Sequence, residues 1–244
     1  MGYRTLPASR GAETGMEPVL RRLQGEGAFP PELAQRVRAL GARVDTLPAR
    51  AIVQVENAPA RRPRYLISGW ACRYRHLRDG RKQIFDLVLP GEGVDVGLRI
   101  RPLAAASVAA ITPVRVVNAA PLLAPEVLES WGELAPALQA QEDAEDRRLL
   151  DHVVRLGRLT ALERLAHIAL DLRARLEVIG HAESGRFPLP LTQETLADMA
   201  GLSVVHVNRT LQELRRQNLV VIDRGWAHLP DVPALQSLAH HERP

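Results

Sequence analysis

Residues 191–211 constrain the fold of this 244-residue chain more than any other stretch, because they read as two short helices separated by one glycine. Thr192 is positioned to cap the first helix and Ser203 the second, since each hydroxyl can accept a backbone N–H of the opening turn. Gly201 allows the left-handed backbone that a sharp turn between helices often needs. Helix, tight turn and helix is the layout of a helix-turn-helix, which makes DNA the first partner to consider.

The second helix of this motif indicates which side chains face a DNA groove. Val207, Leu211 and Leu214 recur at i, i+4 and i+7 and form its expected buried stripe. A recognition helix presents its N-terminal residues to base edges in the major groove. The residues expected to contact bases are Val204, Val205, Asn208 and Arg209. Arginine suits guanine, asparagine suits adenine, and valine can contact a thymine methyl group.

Further polar residues around the motif complete the expected DNA-contacting surface. Phosphate contacts are expected from Ser203, His206 and Arg216, and the set also includes Thr192, Gln193 and Gln212. Residues 219–222 and 226–229 are short strand-like runs joined by Asp223-Arg224-Gly225, which predicts a hairpin and hence a winged helix-turn-helix. Arg224 at the hairpin tip is either a phosphate contact or an ordinary exposed loop arginine. The competing interpretation of the helix pair is a hairpin that only packs.

The composition fits a globular chain and gives no independent argument for DNA. Hydrophobic residues make up 46% and charged residues 25% of the sequence, which is ordinary for a soluble protein. The net charge is +4, but residues 152–244 hold 11 basic and 10 acidic side chains, so the predicted DNA-binding part carries almost no surplus. Neither a membrane-spanning run nor an apolar signal segment after Met1 is found, so a cytoplasmic location is expected.

The apolar period changes along the chain and predicts an α+β fold. Residues 1–30 are expected to form a loosely ordered arm with one helical turn over residues 19–23. Residues 31–123 are expected to form a sensor domain built as a β-barrel or jelly roll, which opens with a short helix over residues 31–40. The strands expected in it are residues 51–55, 64–68, 69–77, 83–89 and 114–118. The Asp79-Gly80 pair is a hairpin signal between two of these strands.

Helical patterns dominate the rest of the chain. Pro125 opens a helical region expected to continue to Leu156, and residues 124–157 are assigned as a dimerisation helix. Its narrow apolar edge suits pairing with a second copy through about residues 134–156, although acidic and amide residues interrupt it. The edge residues are Leu134, Leu138, Leu149, Val153 and Leu156. A cleaner amphipathic helix over residues 160–178 begins a winged helix-turn-helix domain over residues 158–244, with a loop at 180–190.

This arrangement resembles the Crp/Fnr family of bacterial transcription regulators over roughly residues 35–235. The resemblance is carried by residues 191–219, by the strand, glycine, strand segment YLISGWAC at 65–72, and by Gly157-Arg158 followed by the ERLA segment at 163–166. It implies a homodimer whose sensor barrels bias the orientation of two DNA-binding domains on a palindromic site. It also implies RNA polymerase as a further partner of the regulator.

The departures from the family pattern concern the signal and the operator. Where members that bind cyclic nucleotides carry a ribose-binding glutamate and a phosphate-binding arginine, this chain has Asp95-Val96-Gly97-Leu98 and then the LAAAS segment at 103–107. Arg99 and Arg101 lie nearby and are read as surface arginines. Cyclic nucleotide binding is therefore not expected, and neither a cofactor nor a metal site is predicted. Val204 and Val205 replace an Arg-Glu pair of the best-known members, so the operator should differ from theirs.

Two other classes of function compete with a regulator. A barrel enzyme of the cupin kind needs several metal-binding histidines, but residues 42–123 contain only His76, so no enzyme is expected. A ligand-binding scaffold with a purely structural helix-turn-helix is disfavoured by the retained Asn208, Arg209 and wing. Cys72, the only cysteine, excludes an intrachain disulfide and a four-cysteine cluster. It is read as a small buried hydrophobe, with a redox switch as the alternative.

Overall fold

Strands dominate the first half of the chain and helices the second, which confirms the predicted α+β class. This computed structural model describes residues 15–25, 29–60, 62–99 and 102–240. They form two compact units: one contains the residues up to Arg75 together with Asp86–Arg147, and the other contains His76–Phe85 and the residues from Arg148 onward. Most of the predicted N-terminal arm, and Arg101, lie outside the described residues. Residues 17–24 of that arm form a helix in which Val19, Leu20 and Leu23 are buried, so the expectation of a loosely ordered arm is wrong for them.

The strands of the first half form two four-stranded antiparallel sheets. Their bounds are β1 Val44–Leu47, β2 Ile52–Gln54, β3 Arg64–Ser68, β4 Ala71–His76, β5 Lys82–Val88, β6 Gly93–Val94, β7 Ser107–Ala110 and β8 Val114–Asn118. One sheet has the order β1-β8-β3-β6 and the other β2-β7-β4-β5. The predicted strands are all present, whereas β1, β6 and β7 were not anticipated. The apolar core between the sheets contains Leu66, Val88, Val108, Val114 and Val116, all at most 1% exposed.

Helices cover a second apolar core in the first unit. The helices in the N-terminal half are α1 Glu17–Gln24 and α2 Pro31–Ala39. Their Leu20 and Leu33 pack in one cluster with Tyr65 of β3, and Leu134 and Leu138 belong to the same cluster. Both of these last two leucines are fully buried, and burying a leucine stabilises a fold by about 1.5–3 kcal/mol. The expectation that they belong to a dimer seam is wrong, because they are committed to this internal core.

The helical region that follows is interrupted rather than continuous. Helix α3 covers Pro125–Ser130 and α4 covers Leu134–Arg158. Trp131 takes an extended conformation (φ −126°, ψ 91°) that ends α3, so the prediction of one helical region from Pro125 to Leu156 is corrected to two helices. Helix α4 nonetheless contains most of the predicted dimerisation segment.

The second unit is helical with one small sheet. Its helices after α4 are α5 Ala161–Glu177, α6 Gln193–Ala200, α7 Val204–Arg216 and α8 Val232–Leu238, and its strands are β9 Arg186–Pro188, β10 Val221–Asp223 and β11 Trp226–His228. A capping box begins α5: Thr160 accepts the backbone N–H of Glu163, whose carboxylate accepts the backbone N–H of Thr160. The expected loop at 180–190 contains β9, which pairs with β11. None of the helices in the described ranges is long and apolar enough to cross a membrane.

Candidate DNA-binding site

The ends of α6 and α7 are fixed by the caps that the sequence predicts. The Thr192 hydroxyl accepts the backbone N–H of Thr195 at 3.1 Å, and the Ser203 hydroxyl accepts that of His206 at 3.2 Å. Gly201 ends α6 in the left-handed conformation with φ 64°. A Cβ atom at this position would lie 3.1 Å from Leu156 Cδ2, so the turn between the helices leaves little room for a side chain. The predicted helix-turn-helix is confirmed.

The C-terminal end of α6 is completed by side chains that the sequence reasoning did not single out. The last carbonyls of a helix have no partner within it and need other donors. Gln83, which belongs to the same unit, donates from Nε2 to the carbonyl oxygen of Asp198 at 2.7 Å. Arg164 of α5 donates from Nη1 to the carbonyl oxygen of Ala200 at 3.0 Å. Two distant segments of the chain therefore hold the end of the helix that precedes the turn.

Arg164 also joins α6 to the end of α4. Its Nη2 donates to the carbonyl oxygen of Leu156 at 2.9 Å and its Nε to that of Leu159 at 2.8 Å. A positive guanidinium is favoured there, because the C-terminal end of a helix carries partial negative charge. One side chain thus ties together the ends of two helices and the segment that leads into α5.

The buried face of α7 differs in one position from the expected stripe. Val207 and Leu214 are fully buried, as predicted. Leu211 is only half-buried, whereas Thr210 is 7% exposed. Thr210 is accommodated because its hydroxyl donates to the carbonyl oxygen of His206 at 2.8 Å, which leaves its methyl group to face the core.

The opposite face of α7 is open to solvent at its N-terminal end. Val204 and Val205 are 41% and 62% exposed, which is unusual for valine and leaves both apolar side chains available for contact. Arg209 is also exposed, and within the described part of the chain its side chain makes no hydrogen bond or ion pair. The other predicted contact residues exposed in this motif are Thr192, Gln193, Ser203, His206, Gln212 and Arg216.

Two predicted contact residues are joined to each other across the helix pair. The amide Nδ2 of Asn208, which is half-buried on α7, donates to Oε1 of Gln193, the first residue of α6, at 3.3 Å. The predicted surface is therefore contributed by both helices and includes one side-chain link between them.

Arg216, unlike Arg209, is paired with a carboxylate of its own helix. Its Nη2 lies 2.6 Å from Oε1 of Glu213 and its Nε 2.9 Å from Oε2. The hydrogen bonds from Arg216 and Gln217 lower the pKa of Glu213 to about 2. The guanidinium of Arg216 is 74% exposed but already paired, so it would share its charge between Glu213 and any phosphate.

The wing is a two-residue hairpin between β10 and β11. Asp223 pairs with Trp226 across the hairpin, and Arg224 and Gly225 have φ values of 47° and 83° at its tip. Positive φ at both positions is the backbone of a type I′ turn, the twist of which matches that of the strands. The Arg224 side chain is 84% exposed. The predicted wing is confirmed, and its arginine projects from the tip.

A buried ion pair supports the helix against which this motif packs. Asp171 and Arg175, one turn apart on α5, are joined by a 3.1 Å contact, and both side chains are 8% exposed. Burial alone would raise the pKa of Asp171, but the charges of Arg175, Arg155 and Arg148 outweigh it and hold that pKa below its ordinary value.

The segment around Gly97, which the resemblance sets against the family's cyclic nucleotide motif, packs against α4. A Cβ atom on Gly97 would overlap Glu142 Oε1, and the backbone N–H of Arg99 donates to that oxygen at 3.0 Å. Arg99 Nη2 also contacts Asp146 Oδ2 at 2.6 Å. Arg99, read from the sequence as a surface arginine, is partly exposed and held by two carboxylates of α4. Within the described ranges, groups of three or more His, Cys, Asp or Glu that could hold a metal ion are absent.

Cys72 lies in β4 with 5% of its surface exposed, which is the environment of a small packed side chain. A redox role for it stays a prediction.

Comparisons with known proteins agree with this geometry. Residues 163–238 match the model of the Crp-like helix-turn-helix domain. The nitrogen fixation regulation protein FixK of Bradyrhizobium diazoefficiens is 32% identical over 166 residues, which are 68% of this chain and 69% of that protein. The structure of FixK2 from Bradyrhizobium japonicum superposes with a TM-score of 0.69 at 28% identity and covers 80% of this chain and 96% of that one.

A more distant structure shares the fold. TTHA1359 of Thermus thermophilus, a transcriptional regulator of the CRP/FNR family, has a TM-score of 0.60 at 20% identity and covers 82% of this chain and all of that one. The match to FixK spans more than two thirds of both proteins at 32% identity, which assigns the family. The chain therefore belongs to the Crp/Fnr family of DNA-binding transcription regulators.

Proposed function

We propose that this regulator acts as a homodimer that places one α7 helix in the major groove of each half of a palindromic site. The observation that carries the proposal is the state of Arg209. It lies on the exposed face near the N-terminal end of α7, and its guanidinium makes no hydrogen bond or ion pair within the described residues. An unpaired guanidinium at this place suits the two acceptors on the major-groove edge of guanine.

The other contacts are divided between bases and backbone. Val204 and Val205 offer only methyl groups, which suit the methyl group of thymine. Polar groups that lie away from the centre of α7 would contact phosphates on both sides of this helix. The proposed backbone contacts are Thr192, Ser203, His206, Gln212, Arg216 and Arg224.

Substitution of Arg209 by alanine tests this assignment. Loss of a guanine contact should cost about 1–3 kcal/mol in binding free energy and relax the base preference at one position of each half-site. Arg216→Ala is the contrast, because loss of a phosphate contact should weaken binding to all sequences alike and reduce its salt dependence. Fluorescence anisotropy with labelled duplexes measures both quantities. Specific binding that survives Arg209→Ala unchanged would show that α7 is placed wrongly.

The proposed dimer surface is the exposed apolar part of α4. Leu149 and Val153 lie one turn apart, as do Leu150 and Val154, and the four are 49–66% exposed. Residues four apart share one side of a helix, so these pairs form a continuous strip. Four exposed apolar side chains on one helix favour burial of that helix against a second copy of the chain.

A charge placed in this strip tests the dimer. Val153→Glu should convert the dimer to a monomer, because the carboxylate would be buried against apolar side chains. Val178→Glu is the matched control, since Val178 is 51% exposed at the end of α5 and lies outside the strip. Sedimentation velocity at micromolar concentration measures the state. A wild-type monomer, or equal behaviour of both variants, would contradict the proposal.

Roles for the remaining parts follow from this assembly. Residues 31–123 are proposed as the sensor domain, 158–244 as the DNA-binding domain, and the exposed strip of α4, within the predicted segment 124–157, as the dimer contact. Action on chromosomal DNA implies a cytoplasmic location, and control of transcription makes RNA polymerase a further proposed partner. A purely structural helix-turn-helix, the second candidate, is disfavoured by the unpaired Arg209, and a mobility-shift assay distinguishes the two.

A further inference from the structure

The hydrogen bond between Gln193 and Asn208 determines which hydrogen-bonding groups of Asn208 are available to DNA. Asn208 Nδ2 carries two hydrogens, and one of them is directed to Gln193 Oε1 at 3.3 Å. The second hydrogen and the oxygen Oδ1 remain available. This leaves Asn208 with one donor and one acceptor side by side, which matches the N7 acceptor and N6 donor on the major-groove edge of adenine.

The same bond leaves Gln193 with a group for the DNA backbone. Its Oε1 is occupied by Asn208, while Nε2 can still donate two hydrogen bonds. Gln193 is the first residue of α6 and is exposed. Amide N–H groups at such a position suit a phosphate oxygen, and contacts of this kind fix the register of a protein on the duplex. The pair can therefore connect a phosphate contact to a base contact.

The surroundings of Asn208 favour adenine over other bases. Val204 and Val205 precede it by one helical turn and carry no hydrogen-bonding groups, and the neighbouring Arg209 presents donors alone. Among the four proposed base-contacting side chains, Asn208 alone offers an acceptor for an exocyclic amino group. Because Gln193 already restricts the Asn208 side chain, less conformational freedom is lost when the base is bound.

We propose that Gln193 and Asn208 act as one unit that specifies adenine at one position of each half-site. The proposal rests on the proposed function, since it requires α7 to lie in the major groove. Asn208 is the base-reading residue of the unit, and Gln193 is the residue that positions it and anchors it to the backbone.

The test uses the full chain and the operator that the wild-type protein selects from random DNA. Binding of each variant is measured on four duplexes that carry A, C, G or T at each half-site position in turn. Asn208→Ala should lose a preference for adenine of about 5- to 100-fold at one position and keep the others. Gln193→Ala should reduce the same preference, and adding it to Asn208→Ala should have little further effect on that preference.

Two further variants separate positioning from general damage. Gln193→Glu keeps an acceptor oxygen for Asn208 but places a negative charge near the phosphate. It should therefore keep the adenine preference while weakening binding to every duplex. Gln212→Ala removes a proposed backbone contact of α7, so it should weaken binding to every duplex and leave the adenine preference intact. Gln193 and Gln212 are exposed and Asn208 is half-buried, and thermal melting checks that each variant is folded.

The outcomes distinguish this inference from the proposed function. A wild-type chain that selects no operator contradicts the proposed function itself. A wild-type operator whose base preferences are all retained by Asn208→Ala overturns the inference and leaves the proposed function standing. Loss of the adenine preference in Asn208→Ala with full retention in Gln193→Ala also overturns it, because the two residues would then not act as a unit.

Discussion

Replacement of Arg164 by methionine should loosen the helix-turn-helix without touching its DNA-facing surface. Arg164 donates to the carbonyl oxygens of Leu156, Leu159 and Ala200 at 2.8–3.0 Å. Methionine keeps an unbranched stem of similar length but has no donor. The variant therefore removes the link between the end of α4, the start of α5 and the end of α6.

The expected loss of stability follows from these hydrogen bonds. A hydrogen bond that involves a charged group contributes about 1.5–3 kcal/mol to stability. The Arg164 side chain is half-buried, so water can replace part of what is lost and the lower value applies. Three such bonds at about 1.5 kcal/mol each give a loss of about 4.5 kcal/mol in the free energy of an opening that breaks all three, in which α6 and the start of α5 unfold together.

Native-state hydrogen exchange of the amides in α6 and in the first turn of α5 measures that free energy directly. Arg173→Met on the same helix is the control, since Arg173 pairs with Glu177 at 2.9 Å through two contacts on a more exposed surface. An i, i+4 ion pair of this kind contributes about 0.3–0.5 kcal/mol. A single charged hydrogen bond contributes more than about 1 kcal/mol. A loss below that value in Arg164→Met would therefore refute the assigned role of Arg164, and so would equal losses in the two variants.

Three other substitutions test how the second unit is held together. Gly201→Ala should destabilise the second unit by about 1–2 kcal/mol, because alanine is strained at φ 64°. Gly157→Ala in α4 should instead stabilise this unit by about 0.5–1 kcal/mol, since the added Cβ meets nothing within 4 Å. Urea unfolding compares the two, and the same sign for both would contradict this explanation. Asp171→Asn should cost about 3–5 kcal/mol at neutral pH, because it removes the buried carboxylate that pairs with Arg175. Because the folded state lowers the pKa of Asp171, the contribution of this carboxylate to stability is present above about pH 4 and is lost as the pH falls further. The stabilities of the wild type and Asp171→Asn should therefore converge in acid. A difference that does not depend on pH would count against the ion pair.

The helix-turn-helix could be predicted because its signals are local. Thr192, Gly201 and Ser203 act on backbone groups within three residues of themselves, so the sequence contains both members of each interaction. The same holds for the capping box at Thr160 and for the hairpin turn at Arg224. Local backbone chemistry was therefore sufficient for the parts that define the candidate site.

Interactions between distant segments could not be predicted in the same way. Gln83 caps α6 from 115 residues away, and its sequence neighbours give no indication of that partner. Leu134 and Leu138 have the spacing of a seam, but only the packed structure shows that they join the core with α1 and α2. Strand β7 reads Ser-Val-Ala-Ala and has little β-branched content, so it was recognisable only through its antiparallel partners β2 and β4.

Selection of bound duplexes from a random library by the full-length chain tests the central claim most directly. The account predicts enrichment of two inverted half-sites whose centres are about 10 base pairs apart, each with a guanine that is no longer selected by Arg209→Ala. Enrichment of a single unrepeated site, or of no sequence, would contradict a dimeric regulator that reads DNA through α7.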